Sequence, residues 1–178
     1  MSEAIDEDLE RWEESSGPAP RQLDARVLLR PIATLDYPKN PIALPPSTPV
    51  GKALETMSSK NLGAVLVVEE GRVVGIFSER DALRKGLWSG KQLDAPVRKF
   101  MTKDPETLTP HDAIAMAMNR MGVGGYRHVP LVDAERRPVG MLVMRDIVRY
   151  IARFFPNQAL NVPPHSIHDP PERNVEGG

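Results

Sequence analysis

Hydrophobic residues follow two different periods in the middle of the chain. Val50, Ala53, Leu54 and Met57 recur at spacings of three and four, which predicts an amphipathic helix. Residues 64–68 are a short continuous apolar run, typical of a buried strand, and a second run, 72–77, follows across a Glu-Gly turn. A further helix is predicted from Asp81 onward. This stretch therefore predicts the order helix, strand, turn, strand, helix.

The same order returns about 64 residues later. PSTPVGKALETM at 46–57 aligns with PHDAIAMAMNRM at 110–121, and AVLVVE at 64–69 aligns with HVPLVD at 128–133. VVGIFSERD at 73–81 aligns with PVGMLVMRD at 138–146, with one extra residue in the intervening turn, where an insertion is tolerated best. A fixed offset of this kind indicates two copies of one unit, and neither copy can bury its sheet alone. We therefore expect the two copies to pack sheet to sheet.

The repeat defines a domain organisation. We expect a first repeat at 31–93 and a second at 94–155, preceded by a flexible acidic segment at 1–30 and followed by a proline-rich tail at 156–178. The first helix of each copy is predicted to begin behind a hydroxyl cap and a proline, at 47–49 and at 109–110.

One short motif, Ser78-Glu79-Arg80-Asp81, carries candidate chemistry at a strand-to-helix junction. It fits a capping box, in which Ser78 and Asp81 satisfy each other's backbone N–H groups and no ligand is needed. It also fits a nucleotide site, because a helix N-terminus suits phosphate and a carboxylate accepts both hydroxyls of a ribose. In the second copy Val143 replaces the hydroxyl while Asp146 stays, so both interpretations remain open.

The doubled motif resembles a known family. Gly75 to Asp81 and Gly140 to Asp146 carry the pattern G-h-h-[ST]-x-x-D of CBS (cystathionine-β-synthase) domains, with Val143 as the departure, and 126–133 is similar to the family's second-repeat strand. The resemblance implies an α/β fold: a tandem CBS pair of two β-α-β-β-α repeats. It implies an adenine nucleotide (AMP, ADP or ATP) as ligand, bound in the cleft between the repeats.

The resemblance also assigns roles to residues. Asp81 and Asp146 are the expected ribose-binding residues, and the Asp81 site is the stronger candidate. Phosphate contacts are expected from five polar or cationic side chains: Ser78, Arg80, Arg127, His128 and Arg145. Apolar residues are expected to flank the adenine at Asp81, namely Ile76, Phe77, Thr107, Leu108, Val129 and Pro130. Ile42, Ala43, Ala64 and Val65 would do the same at Asp146, although plain core is the alternative for all of these apolar residues.

Composition narrows the function further. A net charge of −1 and an isoelectric point near 6.4 give no reason to expect nucleic acid or membrane as partner. The sequence has no cysteine and no catalytic motif, so we expect a regulator, not an enzyme, with no catalytic residue, no metal site and no required cofactor. The pair His165 and His168 lacks a third metal ligand nearby.

Location and partners are expectations of the same kind. The acidic N-terminus lacks the features of a signal peptide, which favours the cytoplasm. The resemblance to CBS pairs implies a homodimer formed through helices, and an unidentified regulated protein is a further expected partner. Met116, Met118 and Met121 would supply apolar surface for the dimer, and internal core is the alternative for these methionines. The alternative function is a structural dimerisation module whose cleft is empty or holds another adenosyl ligand such as S-adenosylmethionine.

Overall fold

The secondary structure follows the repeated order that the hydrophobic pattern predicts. A computed structural model describes residues 25–87, 90 and 92–154 of the chain. After a short helix α1 (Ala25–Leu28), the first repeat consists of β1 (Ala43–Leu44), α2 (Val50–Ser59), β2 (Ala64–Glu69), β3 (Arg72–Ser78) and α3 (Glu79–Arg84). The second contains α4 (Ile114–Gly124), β5 (His128–Val132), β6 (Pro138–Val143) and α5 (Met144–Ala152), after a two-residue strand β4 (Thr102–Lys103).

The strands form two sheets. The first has the order β1-β2-β3-β4, with β1 parallel to β2 and the other pairs antiparallel, and the second is the β5-β6 hairpin. Both hairpins start in the same register, Ala64 opposite Ser78 and His128 opposite Val143, and both carry an irregularity near their turn. The two repeats therefore share one backbone plan.

Two clusters of buried residues explain how the repeats pack. One lies within the first repeat, under α2 and behind Phe77. The other joins the sheets of both repeats through Leu66, Val73, Val132 and Met141. The sheet-to-sheet arrangement and the α/β class are thus confirmed, and residues 24–150 form a compact unit of their own. Of the rest of the chain, the structure describes only residues 151–154.

The segment before each repeat bonds to the other repeat. Ile32 N–H donates to Asp112 O at 2.8 Å, and Val97 N–H donates to Thr48 O at 2.8 Å. In the same way, Met141 N–H of the second repeat donates to Pro38 O, and β4, which precedes the second repeat, pairs with β3 of the first. The expected boundaries of the two repeats, 31–93 and 94–155, stay a prediction. The hydrogen bonds of the exchanged segments cross these boundaries.

The predicted hydroxyl caps of α2 and α4 are wrong. Their N-caps are Pro49 and Ala113, and neither makes a side-chain cap. The exchanged segments satisfy these helix ends instead, because Val50 N–H donates to Ala95 O at 2.9 Å and Ile114 N–H donates to Arg30 O at 3.0 Å. None of the helices in the described part of the chain is long and apolar enough to cross a membrane.

Candidate functional site

A cleft opens where the first repeat's motif meets the beginning of β5. It is open to solvent, and its volume of about 740 Å³ includes part of that solvent. Its walls come from both repeats and from the segment around β4: Gly63, Ile76, Ser78, Glu79, Arg80, Asp81, Thr102, Pro105, Glu106, Tyr126, Arg127 and His128. The Asp81 motif therefore lies in a cavity between the repeats.

Asp81 is held in a capping box. Its Oδ2 accepts hydrogen bonds from Ser78 N–H at 3.0 Å and from Ser78 Oγ at 2.6 Å, while Ser78 Oγ accepts from Asp81 N–H at 3.3 Å. This confirms the capping interpretation of the motif. The other oxygen, Oδ1, accepts a bond from Thr102 Oγ1 at 3.3 Å, and Lys85 Nζ lies 3.9 Å away. Because a carboxylate oxygen has two lone pairs, Oδ1 retains capacity for a donor in the cleft.

The expected phosphate contacts are distributed unequally. Ser78, Arg80, Arg127 and His128 line the cleft, whereas Arg145 does not. The guanidinium of Arg80 donates to Gly125 O of the second repeat, which draws this arginine across the cleft. The helix α3 has only six residues and so offers little macrodipole. Phosphate binding would therefore depend on these side chains and not on the helix end.

His128 lies in a cationic environment. Its imidazole packs against Gly63, where an added Cβ would lie 3.0 Å from Cε1 and Nε2. Burial lowers the pKa of His128, and the charge of Arg127 lowers it further, while Glu79 acts in the opposite direction. The neutral imidazole is therefore favoured until an anion enters the cleft.

Two side chains that the sequence analysis missed form a network on the second repeat's wall. Tyr126 Oη donates to Glu106 Oε2 at 2.8 Å, and Arg120 Nη1 donates to Glu106 Oε1 at 3.3 Å. Burial and the bond to Glu106 raise the pKa of Tyr126 to about 12, so the phenol stays a donor. Glu106 thus presents fixed acceptors to the cleft. The available signal was their position just before and just after α4.

Most of the predicted adenine-flanking residues do not line this cleft. Ile76 does, but Phe77 is fully buried in the first repeat's core. Because side chains alternate along a strand, Ile76 and Ser78 cannot share a face with Phe77. Leu108, Val129 and Pro130 are buried, and half-buried Thr107 is not on the wall. Thr102, Pro105 and Glu106 take the place expected for 107 and 108.

The residues around Asp146 that correspond to the lining of the Asp81 cleft are less polar. Matching contacts show which residues of the two repeats are equivalent. Gly140 lies against Tyr37 as Gly75 lies against Met101, and Leu44 pairs with Val67 as Leu108 pairs with Leu131. This equivalence puts Pro38, Ile42 and Ala64 where the first cleft has Thr102, Glu106 and His128. Each substitution removes a polar side chain.

Asp146 itself serves the backbone. Its side chain is only 6% exposed, and its Oδ2 accepts the Val143 N–H at 3.0 Å. Of its expected apolar neighbours, Val65 lies in the first repeat's core, Ala64 is buried, Ile42 packs against that core and Ala43 is exposed. The carboxylate thus has a structural partner whether or not a ligand is present.

No group of three or more His, Cys, Asp or Glu within the described residues is arranged to hold a metal ion. The histidine pair 165 and 168 lies outside those residues.

Comparison with known proteins identifies the family. The CBS domain family model matches residues 36–87 and 97–153, so the chain belongs to the CBS domain family. It is 33% identical over 105 residues to an uncharacterized 17.7 kDa protein of Acidianus ambivalens, covering 58% of this chain and 63% of that one. It is 32% identical over 105 residues to the mitochondrial CBS domain-containing protein CBSX3 of Arabidopsis thaliana, covering 56% and 50%. The chain thus spans less than two thirds of these relatives.

Solved structures with the same fold include complexes. CBSX2 in complex with AMP is 25% identical, with a TM-score of 0.61, and covers 71% of this chain and 98% of its own. The CBS domain pair of protein MJ0100 in complex with 5-methylthioadenosine and S-adenosyl-L-methionine is 26% identical, with a TM-score of 0.58, covering 65% and 94%.

Proposed function

We propose that this protein is a regulatory module that binds one adenine nucleotide in the cleft at Asp81. One observation carries the proposal: the cleft brings Oδ1 of Asp81, which accepts the Thr102 hydroxyl and keeps a second lone pair, together with cations contributed by both repeats. The complexes of similar CBS pairs with AMP and with adenosyl compounds support the ligand class.

The ribose would be held at Asp81. Oδ1 accepts one ribose hydroxyl, and Thr102 Oγ1, now 3.3 Å from Oδ1, rotates to share the second. A hydrogen bond to an ionised acceptor contributes about 1.5–3 kcal/mol. Ser78 keeps the carboxylate oriented through the cap, so little ordering remains to be done when the sugar binds.

The phosphate would lie between the repeats. Arg127 and His128 approach from the second repeat and Arg80 from the first. These cations favour a phosphate over the positively charged sulfonium of S-adenosylmethionine, which they repel. The acidic wall at Glu106 is a poor neighbour for phosphate and a good acceptor for the amino group of adenine.

Only the Asp81 cleft would be occupied. The residues equivalent to Ser78, Thr102 and His128 around Asp146 carry no hydroxyl and no imidazole, and the Asp146 side chain is only 6% exposed against 16% for Asp81. We therefore propose a stoichiometry of one nucleotide per chain. Four expectations stay predictions from the sequence: the homodimer, the cytoplasmic location, the regulated partner and the lack of enzymatic activity. Of the methionines on α4, Met116 is 43% exposed, whereas Met121 belongs to the interior.

Calorimetric titration tests the proposal. AMP, ADP and ATP are compared with adenosine and S-adenosylmethionine on the intact chain. We expect at least one nucleotide to bind at one site per chain and more tightly than adenosine. Tighter binding of S-adenosylmethionine would favour the adenosyl alternative, and no binding of any of the five would favour a dimerisation module with an empty cleft.

A further inference from the structure

A second groove lies on the opposite face of the strand that borders the nucleotide cleft. Thr102 of β4 turns its hydroxyl toward Asp81, whereas its neighbours Met101 and Lys103 line this groove. The groove is open to solvent, and its volume of about 1220 Å³ includes part of that solvent. Its lining consists of Glu69, Arg72, Val73, Val74, Arg98, Lys99, Met101, Lys103, Asp104 and Arg136.

The groove is strongly basic although the chain as a whole has a net charge of −1. Five of its lining residues are cations and two are acids. Each acid is already paired, Glu69 with Arg98 and Asp104 with Arg136, both at 2.8 Å. Arg72, Lys99 and Lys103 have no acidic partner among the described residues, so the groove carries an excess of three positive charges.

The backbone holds one side of the groove in a fixed shape. Arg136 and Asp104 both have positive φ angles, 64° and 41°, a conformation uncommon for residues other than glycine. Arg136 O accepts Val73 N–H at 3.0 Å, and Asp104 N–H donates to Val74 O at 3.1 Å. The Arg136–Asp104 ion pair is thus anchored at both ends to β3, across the junction of the two repeats.

The floor of the groove is apolar. Val74 and Met101 are half-buried there, while the side chain of Val73 lies below them in the core between the sheets. A bare phosphate or a small anion would leave this floor unused. A single nucleic acid strand would find no aromatic side chain in the lining on which to stack a base. A peptide that alternates acidic and apolar side chains matches both features, because an extended chain presents its side chains to alternate sides.

We propose that this groove binds an extended acidic segment of a partner protein, whose carboxylates meet Arg72, Lys99 and Lys103 and whose apolar side chains cover Met101. The site is separate from the nucleotide cleft, and the proposal does not depend on which ligand that cleft holds. Its position on β4 places the partner one strand away from Asp81.

Fluorescence anisotropy on the intact chain tests this site. The probes are labelled peptides of about ten residues, long enough to follow one strand, in which glutamate alternates with leucine or valine. Matched peptides carry glutamine in place of glutamate, or serine in place of the apolar residues. A single-stranded oligonucleotide of equal charge is the fourth probe.

The groove is tested with the charge-reversal double variant Lys99→Glu, Lys103→Glu. The control is Lys52→Glu, Lys60→Glu, which changes the net charge of the chain by the same amount but lies on the surface of α2 and at its C-cap. At about 150 mM NaCl we expect the groove variant to weaken binding of the acidic–apolar peptide about fivefold or more, and the control by less than about twofold.

Four results overturn the proposal. These are no binding of any acidic–apolar peptide, equal losses in the two double variants, equal affinity for the glutamine peptide, or tighter binding of the oligonucleotide with the same sensitivity to Lys99 and Lys103. Undiminished binding of the serine peptide would remove the role of the apolar floor and reduce the site to a general anion surface.

Discussion

Two substitutions distinguish the proposed ribose contact of Asp81 from its role in the helix cap. Asp81→Asn keeps an oxygen that can accept the Ser78 N–H and hydroxyl bonds now made by Oδ2, but it places an amide where Oδ1 faces the cleft. Asp81→Ala removes both functions. If the carboxylate binds ribose, both variants lose nucleotide, whereas only the alanine variant loses the cap.

The structure gives the magnitudes. One or two ribose bonds to an ionised acceptor, at about 1.5–3 kcal/mol each, correspond to a loss of affinity of about tenfold to a thousandfold or more. Loss of a helix cap costs about 0.5–2 kcal/mol of folding free energy. The Lys85 pair at 3.9 Å is partly exposed and contributes little, so Asp81→Asn should stay close to the parent in stability.

Calorimetric titration with the tightest-binding nucleotide and denaturant unfolding measure these two quantities on the same preparations. Ser78→Ala is the matched control, because it weakens the cap and leaves Oδ1 of Asp81 in place. We expect it to lose stability, and to lose less affinity than Asp81→Asn, because Ser78 only orients the carboxylate that would accept the ribose hydroxyls. Nucleotide affinity within twofold of the parent in Asp81→Asn would refute the ribose assignment and leave the motif as a cap alone.

Three further predictions follow from the same contacts. Because the pKa of His128 is lowered in the free protein and a phosphate raises it again, AMP binding near pH 7 should take up more protons in the parent than in His128→Gln. Calorimetry in buffers of different ionisation enthalpy measures this difference; exposed His111→Gln should match the parent, and adenosine should show no difference between parent and His128→Gln. In the unliganded protein, the unfolded chain binds more protons at His128 than the folded one. The stability that His128 contributes is therefore lost as pH falls below about 6.5. If the difference in free energy of unfolding between the parent and His128→Gln stays constant over that pH range, this reasoning is contradicted. Gly140→Ala should lower the free energy of unfolding in denaturant by about 1–3 kcal/mol, because its Cβ would lie 2.6 Å from the Tyr37 ring. The control Gly122→Ala, in an open position on α4, should raise the free energy of unfolding by up to about 1 kcal/mol.

The repeat explains why so much of the fold was predictable. A helix, a strand and a hairpin occurring twice in register fixed the elements, the sheet-to-sheet packing and the place of the Ser78–Asp81 motif. These are properties of local period and of self-similarity, which survive in a single sequence. Arg127 and His128 were expected instead from the resemblance to CBS domains, in which the motif of one repeat faces the strand of the other.

The missed part of the site comes from a non-local exchange. Thr102 and Glu106 line the cleft because β4, which precedes the second repeat, pairs with β3 of the first. A two-residue strand has no period that a sequence can display. The alternation of side chains along β3 also decides which face each apolar residue occupies. Ile76 therefore lines the cleft, whereas its neighbour Phe77 lies in the core.

The two crevices together show which residues are informative about binding. In the sequence, Asp146 stays without a neighbouring hydroxyl, which leaves both the capping and the nucleotide interpretation open. The structure supplies a structural reason for the carboxylate: the half-buried Val143 needs an acceptor for its backbone N–H, and the buried Asp146 provides it at 3.0 Å. An aspartate at this position is therefore compatible with an empty crevice. What separates the Asp81 cleft from its counterpart is the set of polar groups around the carboxylate, Thr102 and His128 above all, and it is their combination with Asp81 that the nucleotide titration tests.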